Sequence, residues 1–329
     1  MATSSLDLSI GTDQLGVLTT TRPVVERSRY VHIDEAALAG LAPGLARRIE
    51  APAWQTSYHF VDGTEKTADW LLVLDALNFS FWGEPRWRIE YRGELLNGYT
   101  ALAAALTRAV AEGVPITDAS YLASMTMADL AHVLRGEGTI PLLDRRLENL
   151  HEVGDLLLQR YDGSFGRAIA ACGGSAVRLV RLLVDRLLSF DDIADHSGGE
   201  VRFYKRAQIL AADLHGAFRG ESFGKFGDLD QLTAFADYKL PQILRHMGLL
   251  LYIPSLAQKI EARFLLPPGS REEVEIRANT IWAVELLRRA LSRHGSALRA
   301  FELDWWLWNE AQRFGPSDQP YHLTRTIYY

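Results

Sequence analysis

The sequence predicts a mainly α-helical protein, a single compact helical domain over residues 23–329 with a minor β-hairpin. Three observations carry this. Several long stretches place apolar residues at helical spacing with charges on the opposite face. Strand-like alternation is confined to one short segment. No strand–helix alternation announces a parallel sheet, and no Pro- or Ser-rich linker divides the middle of the chain.

In chain order, residues 1–22 are rich in Ser, Thr and Gly and lack sustained periodicity, so a loosely held start is expected. Residues 87–95, WRIEYRGEL, alternate apolar and polar, and Arg92-Gly93 suits a tight turn between two strands. The run TALAAALTRAVAE (100–112) is strongly helix-forming. Amphipathic spacing predicts helices over 142–161, 177–190 and 202–218. A Gly-rich loop, RGESFGKFG, follows the third of these. A helix over 241–252 is expected to open on Pro241, since proline favours the first helical position. Helices over 278–293 and 300–314 complete the set.

Composition narrows the function classes. With 329 residues and 48% hydrophobic content the chain can bury a sizeable core. A formal net charge of -6 argues against a protein that wraps a nucleic-acid polymer. The one cysteine, Cys172, excludes an internal disulfide framework and disfavours a Cys-based zinc site, and the chain fits a reducing, cytoplasmic setting. No secretory signal and no membrane span are visible.

Four clusters mix polar groups with aromatics. The first, residues 70–82, sets Asp75 and Asn78 among Trp70, Phe79, Phe81 and Trp82. Asp75 by itself reads as a structural carboxylate, whereas the cluster suits a pocket wall. In the second, Phe203-Tyr204-Lys205-Arg206, the cations read on spacing alone as a solvated helix face, although a lysine here would suit a phosphate or carboxylate. The third, Phe235-Ala-Asp237-Tyr238, puts an acid before the helix of Pro241. The positive helix end would favour its ionised form. An anion beside a pocket stabilises an oxocarbenium-like transition state. The residues alone leave that role and a simple helix cap equally open. In the fourth, Asp304 precedes Trp305 and Trp306, which suits a flat ring with a cationic arm and also suits a core. Asp191-Asp192-Ile-Ala-Asp195 matches a diphosphate-metal pattern, but three acids at a helix end arise easily by chance and HSGG follows directly. Gly173-Gly174-Ser175 reads as a break between helices.

Six segments are together far more specific: LDALNFSFW (74–82), FYKRAQILAADL (203–214), FADYKLPQIL (235–244), EIRANTIWAVELL (275–287), LDWWLW (303–308) and HLTRTIYY (322–329). In this order they resemble the queuosine salvage proteins, which are queuosine 5′-phosphate N-glycosylases. The resemblance implies a helical fold related to the helix-hairpin-helix DNA glycosylases. It implies hydrolysis of queuosine 5′-phosphate to queuine and ribose 5-phosphate without cofactor or metal. Carried over residue by residue, Asp237 is the catalytic carboxylate and Lys205 its partner or a phosphate ligand. Phe235 contacts the base, and His59, in YHFVDGT (58–64), reaches the substrate. Asp304 and Trp305 serve the base and its amine arm, and Asn78 and Phe79 belong to the wall. The alternatives are a DNA or RNA base glycosylase and a non-catalytic binder of a modified nucleobase.

Overall fold

The computed structural model describes residues 6–54, 57–315 and 317–329, and their contacts gather in two compact units. The first comprises residues 6–52, Asp192–Lys205 and Asp228–Arg325. The second comprises Ala53–Asp191, Arg206–Gly227 and Thr326–Tyr329. Each is assembled from separate stretches of chain, so no single linker divides them in sequence.

The first unit is organised around α13 (Arg271–Arg293). This helix is contacted by α1 (Val17–Glu26), α2 (Glu35–Ala46), α11 (Lys239–His246) and α14 (Ala300–Ala311). From Glu273 to Leu287 it is buried on every side, as expected of a helix at the centre of a core. Its buried polar groups are therefore paired. Glu275 Oε2 accepts from the amides of Arg29 (2.8 Å) and Tyr30 (2.7 Å), and Glu285 pairs with Arg288 and Arg289. Two antiparallel strand pairs belong here. β1 (Val31–Ile33) pairs with β6 (Leu250–Tyr252), with Val31 opposite Tyr252. β4 (Ile193–His196) pairs with β5 (Gly199–Arg202) around Ser197-Gly198. α12 (Pro254–Glu261) opens on a proline at its first position.

The second unit is built on α3 (Glu65–Ala76), nearly all of whose residues from Thr67 to Ala76 are buried. It packs on α4 (Gly98–Ala111), α7 (Leu143–Tyr161) and α8 (Phe165–Ala171). α5 (Ala119–Ser124) lies so close to α7 that a Cβ on Gly154 would sit 2.4 Å from the Ala123 nitrogen. Only glycine fits there. α6 (Met127–Val133), α9 (Ala176–Arg186) and all but the first residue of α10 (Lys205–Ala217) complete the helices. The hairpin of β2 (Arg88–Tyr91) and β3 (Glu94–Asn97) turns through Arg92 (φ 53°) and Gly93 (φ 82°), as the RG pair predicts.

Several boundaries differ from expectation. Residues 17–22, expected to be loose, lie in α1, and Val17 is fully buried. The segment expected as one helix over 241–252 is α11 followed by β6. Gly248, at φ 74°, ends the helix, and Pro241 stands third in it rather than first. α13 begins seven residues before the expected 278, because Ser270 caps it and its acids are paired inside. Among the described residues the β content is three two-stranded pairs instead of one hairpin.

Candidate functional site

In the first unit, the irregular segment Phe235-Ala236-Asp237 is fixed at each residue. The Phe235 amide donates to Asp304 Oδ2 (2.7 Å). The Ala236 carbonyl accepts from Arg277 Nε (3.1 Å). Asp237 Oδ1 accepts from the amides of Lys239 (2.7 Å) and Leu240 (2.8 Å), the open first turn of α11. Pro241 comes next and has no N–H to satisfy. The sequence left helix cap and reactive carboxylate as alternatives, but the geometry accommodates both. One oxygen, Oδ1, caps the helix, and the carboxylate also feels the Lys205 cation.

Asp237 is buried, and Lys205 is the leading opposite charge felt by its carboxylate. The net effect on its pKa is upward, because desolvation outweighs Lys205, the two amides and Lys239. The amides of the helix end act in the expected sense, toward the ionised form, and burial is the larger cause. Lys205 is itself buried and begins α10, and its amide donates to Asp192 Oδ2 (3.2 Å). The expectation of a solvated face therefore fails for this lysine. Trp305 is half-buried, with its ring edge-on to Phe301 at 5.1 Å.

In the second unit, His59 lies in an aromatic nest. Its ring is 4.5 Å from Trp54, 5.6 Å from Trp70 and 5.7 Å from Tyr99. Its Nε2 is 2.8 Å from Tyr99 Oη, which also bonds the Asp213 side chain. The hydroxyl has a single proton, and a carboxylate is the stronger acceptor for it. His59 Nε2 then carries the hydrogen and donates to Oη. Nδ1 is left as a bare acceptor, buried and without a hydrogen-bond partner among the described residues. Burial lowers the His59 pKa to about 4, so the ring is neutral near pH 7. Trp54 Nε1 also donates to Asp213 (3.1 Å), and its ring lies against Gly216, where a Cβ would come within 2.5 Å of it.

The wall residues divide. Asn78 Nδ2 donates to Asp75 Oδ1 (3.4 Å), and both are buried. Phe79 is wholly buried, with the guanidinium groups of Arg146 and Arg206 at 4.2 Å and 5.1 Å from its ring centre. Arg146 also donates to the carbonyls of Leu77 and Phe79. Phe79 thus supports the LNFSFW segment from inside.

The family model for the queuosine salvage protein matches residues 58–329. The chain belongs to the queuosine salvage protein family. It is 55% identical to the queuosine 5′-phosphate N-glycosylase/hydrolase of Sphaerobacter thermophilus, over 96% of this chain and 98% of that one. It is 36% identical to the Bos taurus protein of that name, over 93% and 96% of the two chains. The Schizosaccharomyces pombe protein of the same name is 31% identical, over 92% and 96%.

Two groups within this queuosine salvage chain escape a reading by sequence. Tyr99 and Asp213, which fix His59, lie far apart in the chain, and Tyr99 falls just before a run of alanines that reads as plain helix. Arg277 and Asp192 form a buried, two-pronged ion pair at 2.8 and 2.6 Å. Asp192 had the look of a metal ligand, and the arginine is its actual partner. No described helix is long and apolar enough to cross a membrane. Among the described residues no cluster of three or more His, Cys, Asp or Glu is arranged to hold a metal.

Proposed function

We propose that this protein hydrolyses the N-glycosidic bond of queuosine 5′-phosphate, releasing queuine and ribose 5-phosphate. The observation that carries the reading is Asp237. It is a buried carboxylate with one oxygen capping a helix and a buried lysine as its main counter-charge. Relatives across nearly their whole length bear the name of this activity.

Cleavage of an N-glycosidic bond develops positive charge at C1′ and O4′ of the ribose. A fixed anion in a site of low dielectric stabilises that charge without reorganising. Asp237 Oδ2 supplies the anion and a handle for the attacking water. The helix amides and Lys205 oppose desolvation and favour the ionised form. Lys205 serves to hold Asp237 in its charged form or to meet the 5′-phosphate. Phe235 offers a face to the base. Asp304 holds the Phe235 amide, so its part in recognising the base and its amine arm, with Trp305, includes keeping that ring in place. His59 presents Nδ1 as an acceptor for a substrate N–H or O–H, while Asn78 and Phe79 shape the wall. No cofactor enters this chemistry. The substrate is a mononucleotide rather than a polymer, the setting is the cytoplasm, and the helical architecture is kin to the helix-hairpin-helix DNA glycosylases.

Asp237→Asn is a clean test, because the amide oxygen can still cap α11 while the charge is lost. Queuine release from queuosine 5′-phosphate is expected to fall about a thousandfold in kcat with KM little changed. The wild-type rate should drop as pH falls through the raised carboxyl pKa. A folded variant as fast as the wild type would end the assignment.

A further inference from the structure

Arg277 and Asp192 do more than neutralise each other. The Asp192 carboxylate takes both prongs of the Arg277 guanidinium and also the Lys205 amide (3.2 Å). Its main-chain carbonyl accepts from the amides of Phe203 (3.0 Å) and Tyr204 (3.2 Å). These bonds hold Tyr204 at φ 50°, a left-handed conformation that costs free energy for a residue with a Cβ. The strained residue immediately precedes Lys205. On the other side, Arg277 Nε holds the Ala236 carbonyl, immediately before Asp237 (3.1 Å). The guanidinium carbon lies over the Phe203 ring, 3.9 Å from its centre. One buried pair thus grips the residue ahead of each group assigned to the chemistry.

Resting on the hydrolase reading above, we propose that the Arg277–Asp192 pair is a positioning clamp that sets the Lys205 cation against the Asp237 carboxylate. A lysine at 277 would keep the charge but lose the planar fork that reaches Asp192 and Ala236 together. The charges facing Asp237 are Lys205 from α10 and Lys239 from α11. Those facing the clamp are Glu273, 3.8 Å from Arg277, and His322, which burial and Arg277 hold neutral. Loosening the clamp alters the distance of Lys205 from Asp237, while Lys239 stays with α11. It therefore moves the pH at which Asp237 ionises.

The test compares Asp192→Asn, Arg277→Lys and the double variant Asp192→Leu/Arg277→Met with the wild type, measuring queuine release from queuosine 5′-phosphate across pH 5–9 beside thermal melting. An apolar pair of similar volume often replaces a buried ion pair without loss of stability. The double variant therefore separates folding from positioning. For the single variants kcat is expected to fall about a hundredfold, with KM within about threefold of wild type and the acidic limb of the pH profile displaced. The double variant is expected to regain the melting temperature but neither kcat nor the limb. Wild-type kcat and an unmoved limb in any folded variant would overturn the clamp alone, as would recovery of kcat together with melting in the double variant. If none of the variants folds, the pair is a folding element and the proposal falls. A wild type that releases no queuine defeats the hydrolase reading itself, and the clamp with it.

Discussion

The two units each bury one helix on almost every side, and they fill those helices differently. α13 of the first unit carries Glu273, Glu275, Arg277 and Glu285 inside the protein, each tied to an arginine or to backbone amides. α3 of the second unit carries Trp70 and a run of leucines, with Thr67 and Asp75 as its buried polar groups. The assigned residues follow the same division. Asp237 is held by a helix end and cations, and His59 by rings and a tyrosine hydroxyl. One core places charge, and the other places shape and a neutral acceptor. This contrast predicts that lesions in the first unit slow the chemical step, whereas lesions around His59 weaken substrate binding.

The widest test of the contrast is the pH dependence of stability. Each unit holds a histidine with a lowered pKa and a carboxyl with a raised one. In the first these are His322, at about 3, and Asp237; in the second, His59, at about 4, and Asp69, at about 7. Burial is the leading cause for all four. A buried neutral histidine contributes stability that is fully present above pH 6.5 and is lost as pH falls toward its folded pKa. A raised carboxyl acts in the opposite sense: the folded state keeps the proton longer, so stability falls as pH rises from 3.8 toward the folded value. In the second unit the two effects oppose each other between pH 4 and 6.5, and in the first they oppose each other from pH 3.8 upward over the range in which the Asp237 carboxyl keeps its proton and the pH is below 6.5. His322→Gln is therefore expected to lower the slope of unfolding free energy against pH by up to about 1.4 kcal/mol per unit. Asp69→Asn is expected to raise the slope by a similar amount, up to pH 7. Urea unfolding at a series of pH values reads both, and slopes that match wild type in both variants would remove the symmetry.

A smaller effect sharpens the kinetic side. Tyr99→Phe deletes the hydroxyl that accepts from His59 and bonds Asp213. The His59 ring then has no fixed tautomer, and Nδ1 no longer stands as an acceptor throughout. About a tenfold loss in kcat/KM is expected, chiefly through KM, as for one neutral hydrogen bond. A loss confined to kcat would place Tyr99 with the chemistry and break the contrast.

What the sequence disclosed follows from the range of the forces involved. Local signals read well: the Arg92-Gly93 hairpin, α7 to within a residue at its start, and the break at Gly173-Gly174 before α9, which Ser175 caps. The early turns of α13, REEVEIR, look like a solvated segment because their partners are remote in sequence: Gly269 for Glu273, Arg29 and Tyr30 for Glu275, Asp192 for Arg277. The same cause hid part of the site. Asp237 stood out as a candidate from its place ahead of a proline-bearing helix and from the family segments, and Lys205 and Phe235 from the family segments. Arg277, Tyr99 and Asp213 act only through pairings between distant residues, and periodicity carries no trace of those.

The smallest effect belongs to the helix caps, where the two central helices should respond alike. Thr64 Oγ1 accepts from the Lys66 amide (3.2 Å) at the start of α3 and donates to Asp62 (2.9 Å). Ser270 accepts from the Glu273 amide (3.4 Å) at the start of α13, while Glu273 reaches back to the Gly269 amide (3.0 Å). Thr64→Ala removes two bonds at an exposed site. Ser270→Ala removes one long bond and leaves Glu273 still closing the turn. Losses of about 1 and about 0.5 kcal/mol are expected, read as shifts of the urea midpoint at constant slope. Neither should alter queuine release, because both helices are held by burial along their length rather than by their ends. If Ser270→Ala slowed the reaction while Thr64→Ala left it unchanged, the register of α13, which carries Arg277, would matter to the chemistry in a way that of α3 does not. The contrast between a charge-bearing and a shape-bearing core would then reach as far as the helix ends.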